Sequence, residues 1–110
     1  GGLTRYNHDG KNVLLFSNPN TLRGRRNVSV RISEDEGTTW PTARAVEPGY
    51  SAYSDLAVSP EGTILCFYGR SAEPHYAGDR LTLARFNLQW LTDGDSPQSP
   101  NRQVSPAPSQ

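Results

Sequence analysis

The stretch GYSAYSDL, residues 49–56, sets Tyr50 and Tyr53 three apart among small residues, with Asp55 behind the second. An ordinary core strand would carry Val, Ile or Leu at such positions. A phenol there is either a packed ring or a group presented for chemistry. Arginine is the second candidate. The 11 basic residues comprise Lys11 and otherwise only arginine, with a cluster RGRR at 23–26. A guanidinium grips carboxylate or phosphate through two parallel hydrogen bonds, which an ammonium cannot do. A GC-rich genome produces the same Arg bias, and RGRR alone reads far more readily as a solvated basic loop than as a ligand grip. The lone cysteine, Cys66, excludes an intrachain disulfide and a zinc motif. Its apolar setting, TILCFYG, makes it a small buried hydrophobe.

These side chains need a scaffold, and the composition gives a thin one. The chain has 110 residues, 34% of them apolar, and no net charge. So small a domain buries a modest fraction of its surface. With a first residue other than Met, this leads to the expectation that the chain completes a larger protein. The charge balance gives no case for nucleic acid or an anionic membrane surface. No apolar run is long enough to span a bilayer, and no signal-peptide pattern is present in these residues.

The local patterns predict all-β structure. NVLLFS (12–17) is a compact apolar run stopped by NPN. NVSVRIS (27–33) alternates, with Val28, Val30 and Ile32 on one face. TARAVE (42–47) is a weaker strand. YSDLAVS (53–59) leads into PEG (60–62), a turn with Pro early and Gly late. TILCFYG (63–69) is the most apolar strand. LTLARFNL (81–88) alternates again. No segment carries a sustained helical period. The polar stretch 70–79 joins two strands at a sheet edge. Residues 93–110 hold four prolines, four serines and Val104 as their one aliphatic residue. Such a segment is expected to be disordered, because little burial offsets its ordering entropy.

The sharpest motif is SEDEGTTW, residues 33–40, a Ser-x-Asp-x-Gly-x-x-Trp pattern known as an Asp-box. Asp35 is placed to accept backbone N–H bonds, Gly37 to take a positive φ, Ser33 to bond the same loop, and Trp40 to pack under the turn. Its meaning is structural: such boxes lie on the outer rim of β-propellers.

RRNVSVRISEDEGTTWP, PGYSAYSDLAVSPEGTILCFY and LARFNLQWL together resemble the C-terminal part of an exo-α-sialidase (neuraminidase), over residues 3 to about 92. The resemblance implies a fragment of a six-bladed β-propeller with four-stranded antiparallel blades. Residues 1–92 would supply about one and three-quarter blades, 2–47 most of one and 52–90 three strands of the last, with 93–110 as a Pro/Ser-rich tail. The missing strand and the other blades would belong to the same parent chain.

The resemblance also implies roles. The A-Y-S-D-L stretch of the family carries the nucleophile, which falls at Tyr53, while Tyr50 has no such role. Sialidases differ from most glycosidases in using tyrosine. The anomeric carbon of sialic acid bears a carboxylate that would repel an anionic Asp or Glu, and a neutral phenol avoids this. The third of the family's carboxylate-binding arginines falls at Arg25, 28 positions before Tyr53, with Arg26 as the adjacent alternative. The acid/base aspartate, the base glutamate and the other two arginines would lie upstream. Many members have L-Y-E after the nucleophile strand, where this chain has Gly69; Glu73 follows in the next loop. The implied substrate is a sialylated glycan, with no cofactor or metal, in a secreted or periplasmic setting. The implied activity is release of terminal sialic acid by the parent; the competing class is a propeller that binds glycan or protein without cleaving it.

Overall fold

The computed structural model describes residues 2–19, 26–70, 80–93 and 100–106. Seven strands and one short helix follow in order: β1 Gly2–His8, β2 Lys11–Pro19, β3 Arg26–Ser33, β4 Thr42–Val58, β5 Ile64–Arg70, β6 Arg80–Phe86, α1 Leu88–Thr92 and β7 Asn101–Pro106. Every strand pairs antiparallel with the next. The 17-residue β4 belongs to two sheets: its first half pairs with β3, its second with β5. The result is two four-stranded antiparallel sheets joined through β4, the architecture of consecutive blades in a β-propeller.

Short local signals close the hairpins. Asp9 and Gly10 both take positive φ (53° and 80°) between His8 and Lys11. That two-residue turn matches the twist of the strands it joins. It makes residues 2–8 a strand that the apolar pattern alone did not mark. At 59–63, the Gly62 N–H donates to the Ser59 carbonyl at 2.9 Å and the Ser59 N–H to the Thr63 carbonyl at 2.9 Å, as the PEG turn requires. Gly62 has φ 86°, and a Cβ there would fall 2.4 Å from the His8 ring, so this turn of the second sheet packs on β1 of the first.

The two sheets share one core. Val13, Leu15, Val28, Val30, Ile32 and Val46 from the first meet Leu56, Ile64, Cys66, Tyr68, Ala84 and Phe86 from the second. Each fully buried aliphatic chain contributes about 1.5–3 kcal/mol, so the predicted inward face of β3 and the buried side of the most apolar strand, β5, supply adhesion between the blades. Gly2 of β1 lies against β4, where a Cβ would come within 2.9 Å of the Asp55 Cα and the Leu56 nitrogen. Leu3, Phe67 and Leu81 remain exposed at 64%, 51% and 45%. Cys66 is fully buried, and burial first, then the charge of Asp55, pushes its thiol up to about 12. It is inert at neutral pH.

Three expectations are corrected. TARAVE and YSDLAVS are not separate strands but parts of β4, whose halves run in opposite directions. Thr42 pairs with Ile32 and Val58 with Ile64, both at the end that holds the turns just described, so the chain doubles back between Tyr50, which still pairs with Arg26 of β3, and Ser51, which pairs with Arg70 of β5. Leu88 leaves the strand to open α1, because Asn87 caps the helix by accepting the Trp90 N–H at 2.7 Å. Residues 101–106, expected in a disordered tail, form β7 and complete the second sheet, so that sheet has four strands. What orders them is a backbone ladder to β6 and the Arg102 guanidinium, which donates to the Val46 carbonyl from Nε (3.2 Å) and a terminal nitrogen (2.6 Å). Residues 94–99 and 107–110 lie outside the described residues, as does 71–79, with Glu73.

Candidate functional site

The antiparallel order gives the sheets two distinct ends. One holds the β1–β2 hairpin, the 33–41 loop and the 59–63 turn. The other holds Gly2, Pro19, Arg26, Tyr50, Ser51 and Arg70. The two groups of residues singled out in the sequence separate cleanly between them.

At the first end the SEDEGTTW loop is closed by its own side chains. The Ser33 hydroxyl donates to Asp35 Oδ1 (2.8 Å) and accepts the Gly37 N–H (2.8 Å). Asp35 accepts the Thr39 N–H at Oδ1 (2.8 Å) and the Thr39 hydroxyl at Oδ2 (2.6 Å). Gly37 has φ 89°, and the Trp40 indole N–H donates to its carbonyl at 3.2 Å while the ring lies 6.0 Å from Phe16 of β2. Glu36, also at positive φ, takes two bonds from Arg5 (3.0 and 2.6 Å), and Glu34 takes one from Lys11 (3.0 Å), so the loop is tied to the neighbouring hairpin. The Ser33 and Asp35 side chains are thus engaged in the turn, and Glu34 and Glu36 in ion pairs with the hairpin.

That network fixes the acid behaviour of the loop. The Thr39 hydroxyl first, then the Thr39 N–H and the Ser33 hydroxyl, hold the Asp35 carboxyl down to about 2. A carboxyl lowered on folding stabilises the folded state above its unfolded value near 4, and this contribution is lost as pH falls through the folded value. Trp40 fluorescence is therefore expected to report loop opening between about pH 4 and pH 2. Asp35→Asn, which has no proton to gain, should lose that acid transition; an unchanged transition in this variant would show that another group governs it.

At the opposite end stands the tyrosine stretch. Tyr53 lies on the second half of β4, where Ala52 pairs with Gly69 and Asp55 with Phe67. Three steps along β4 match two along β5, so Tyr53 and Ser54 share a β-bulge. Bulges re-aim side chains and gather beside active sites. The flanks are firmly held: the Ser51 hydroxyl accepts the Val28 N–H at 3.3 Å, and Ser54 accepts a 2.9 Å bond from Ser17, which itself accepts the Gly2 N–H at 3.1 Å. Ser17, Ser51 and Ser54 are all buried. Their small size lets β1 and β4 approach closely, which explains why the stretch lacks large aliphatic residues. The side chains of Tyr50 and Tyr53 lie outside the described residues.

Arg25 also lies outside the described residues. The strand it precedes begins at Arg26, whose register partner is Tyr50. β2 therefore ends, at Pro19, and β3 begins, at Arg26, at the end of the sheets where β4 doubles back toward Tyr53. Gly69 is buried on β5 opposite Ala52.

A second cluster at this end was not singled out in the sequence. The carboxylate of Glu47 is buried, accepts the Tyr68 hydroxyl at 3.1 Å and stands 3.8 Å from Arg102 Nε. Burial, then the neighbouring Glu47 charge, pushes the Tyr68 phenol well above its ordinary range. Tyr68 is thus a neutral donor and not a nucleophile. Glu47 was hidden because β4 bulges there as well: Val28 pairs with Glu47 and Ser29 with Ala45, so the extra residue Val46 turns inward along with its neighbour.

Among the described residues, no group of three or more His, Cys, Asp and Glu side chains could hold a metal ion, and no helix is long and apolar enough to cross a membrane.

No protein-family model matches the chain. Curated relatives do. A sialidase of Micromonospora viridifaciens is 42% identical over 79 residues, which cover 72% of this chain and 11% of the relative. A sialidase of Bacteroides fragilis is 40% identical over 65 residues, 56% of this chain and 12% of the relative. A sialidase of Vibrio cholerae is 41% identical over 59 residues, 49% of this chain and 8% of the relative. The matches thus span between 8% and 12% of these relatives' length. Likeness of this strength to sialidases of three bacteria, carried by a pair of four-stranded blades, places the chain in the sialidase family as a fragment of its propeller.

Proposed function

We propose that the chain is the C-terminal portion of a retaining exo-α-sialidase whose nucleophile is Tyr53 and which holds the substrate carboxylate through Arg25. The observation that carries this reading is the A-Y-S-D-L stretch on a bulged strand, at the end of the sheets where β2 also ends and β3 begins. In the reaction, a base takes the phenol proton as the Tyr53 oxygen attacks the anomeric carbon. The bond to the aglycone oxygen breaks, and that oxygen receives a proton from the general acid. Water then attacks the same carbon of the sialyl–tyrosine, and the phenol leaves with a proton. Two displacements retain configuration. The acid, the base and the remaining arginines come from other blades of the parent. Leu3 on the first sheet and Phe67 and Leu81 on the second are exposed apolar residues against which such blades would pack.

Gly69 favours a second reading. Where the family pattern has a glutamate bracing an arginine, this strand has no side chain, which is compatible with a propeller that binds sialylated glycan without cleaving it. One experiment separates the two. The parent is incubated with a sialosyl fluoride carrying a second fluorine beside the anomeric carbon, which slows hydrolysis of the covalent intermediate. Tandem mass spectrometry is expected to find the sugar on the peptide containing Tyr53. Saturable sialoside binding with neither adduct nor turnover would establish the binding protein instead, and an adduct on another residue would remove Tyr53.

A further inference from the structure

The buried cluster between the blades has no part in the chemistry just described. Burying a carboxylate costs several kcal/mol unless it is paired and hydrogen-bonded. Glu47 is only 4% exposed, yet it sits where an apolar residue would pack against Val28 and Val46 without that cost. Two of its partners come from other strands: Tyr68 on β5 and Arg102 on β7. Arg102 also grips the Val46 carbonyl twice. The outermost strand of the second blade is thereby fixed to the outermost segment of the first.

The position of this cluster along the chain gives it a consequence. Glu47 lies three residues before Tyr50, the last residue of β4 to pair with β3, and Ser51, which pairs with Arg70, is the first to pair with β5 afterwards. On β5 the partner of Glu47 is Tyr68 and the partner of Ala52 is the next residue, Gly69. Adjacent residues of one strand therefore hold β4 on either side of the reversal between Tyr50 and Ser51, and Tyr53 follows directly.

We propose that Glu47, Tyr68 and Arg102 form a clasp that fixes this reversal and so sets the position of Tyr53, making Glu47 and Arg102 positioning residues for the reaction proposed above, on which reading this role rests. The segment that composition marks as a tail is then part of the active architecture. Arg102 supplies positive charge beside the buried carboxylate, and its loss should be felt at Tyr53 through the reversal that the clasp holds.

A double-mutant cycle in the parent enzyme tests this with Arg102→Gln, Glu47→Gln and both together. Misplacing a nucleophile by a fraction of an ångström to an ångström lowers turnover, so Arg102→Gln is expected to reduce kcat by roughly ten- to a hundredfold with KM nearly unchanged. Adding Glu47→Gln should restore much of kcat, because no buried carboxylate is then left facing a lost cation, and the gain should appear as non-additivity. Additive losses, an unchanged kcat, or a fall in Tm with kcat intact would overturn the positioning role. Melting temperatures of the same four proteins keep the two ideas apart. A parent without sialoside turnover would end the sialidase reading and with it the positioning role, while coupled Tm changes would still establish the clasp and additive ones would end it.

Discussion

Tyr53→Phe in the parent enzyme is expected to lower kcat by about a thousandfold or more, the scale on which loss of a nucleophile acts. The substitution keeps the ring and removes only the phenol oxygen, so the bulge that carries it has no reason to collapse. Its neighbours are held independently by the Ser51 and Ser54 hydroxyl bonds and by the Ala52–Gly69 pair. Binding of a sialoside or of a transition-state analogue should consequently survive. Tyr50→Phe is the control: Tyr50 lies across the reversal, paired with Arg26 on the first sheet, whereas Tyr53 belongs to the second. Near-parental kcat in Tyr53→Phe together with inactivity in Tyr50→Phe would exchange the two assignments. Near-parental kcat in both would end the tyrosine mechanism for this protein.

How much of this could be read from the sequence differs by element, for physical reasons. The inward face of β3 was legible because Val28, Val30 and Ile32 obey a strict two-residue period, whereas in β5 Leu65 and Phe67 are apolar too, so the strand was legible but its inward face was not. The SEDEGTTW loop was legible because its contacts are local: every partner of Asp35 lies within four residues. Strand β1 was missed although Asp9–Gly10 is a strong hairpin signal, since the apolar run was counted only from residue 12. Helix α1 is five residues long, too short to show a period, and only the cap at Asn87 announces it.

The errors at β4 and β7 have a common origin. Bulges at Val46 and at Tyr53–Ser54 shift the register, so the alternation that identifies an inward face breaks where the functional residues sit. Glu47 reads as a surface carboxylate until the bulge turns it inward. Residues 101–106 read as disordered because they carry little apolar surface to bury, whereas β7 is held by a backbone ladder and by Arg102 reaching 56 residues back to the Val46 carbonyl. No local pattern encodes a partner at that distance. The tyrosine stretch was legible only as a whole. Tyr53 alone resembles any packed ring, and its significance came from the resemblance of the whole A-Y-S-D-L stretch to the sialidase family; the small residues beside it are explained by the close approach of β1 and β4.

Arg25→Lys is expected to reduce kcat/KM by about ten- to a hundredfold in the parent. A charge-assisted hydrogen bond contributes roughly 1.5–3 kcal/mol, and lysine keeps the charge while losing the planar fork that makes the second contact to a carboxylate. The loss should be specific to the carboxylate. With a substrate analogue whose carboxylate is amidated, parental and variant enzymes should differ much less, because the bidentate interaction is then absent from both. Arg26→Lys should change little, since successive residues of an extended chain alternate between faces and both cannot meet one ligand. The β3 register begins at Arg26 opposite Tyr50, so a one-residue error in this assignment would reverse the two results. Steady-state kinetics of both variants on both substrates decide the matter. Small, equal losses at the two positions, indifferent to the carboxylate, would return RGRR to a solvated loop and leave Tyr53 alone to carry the sialidase reading within this chain.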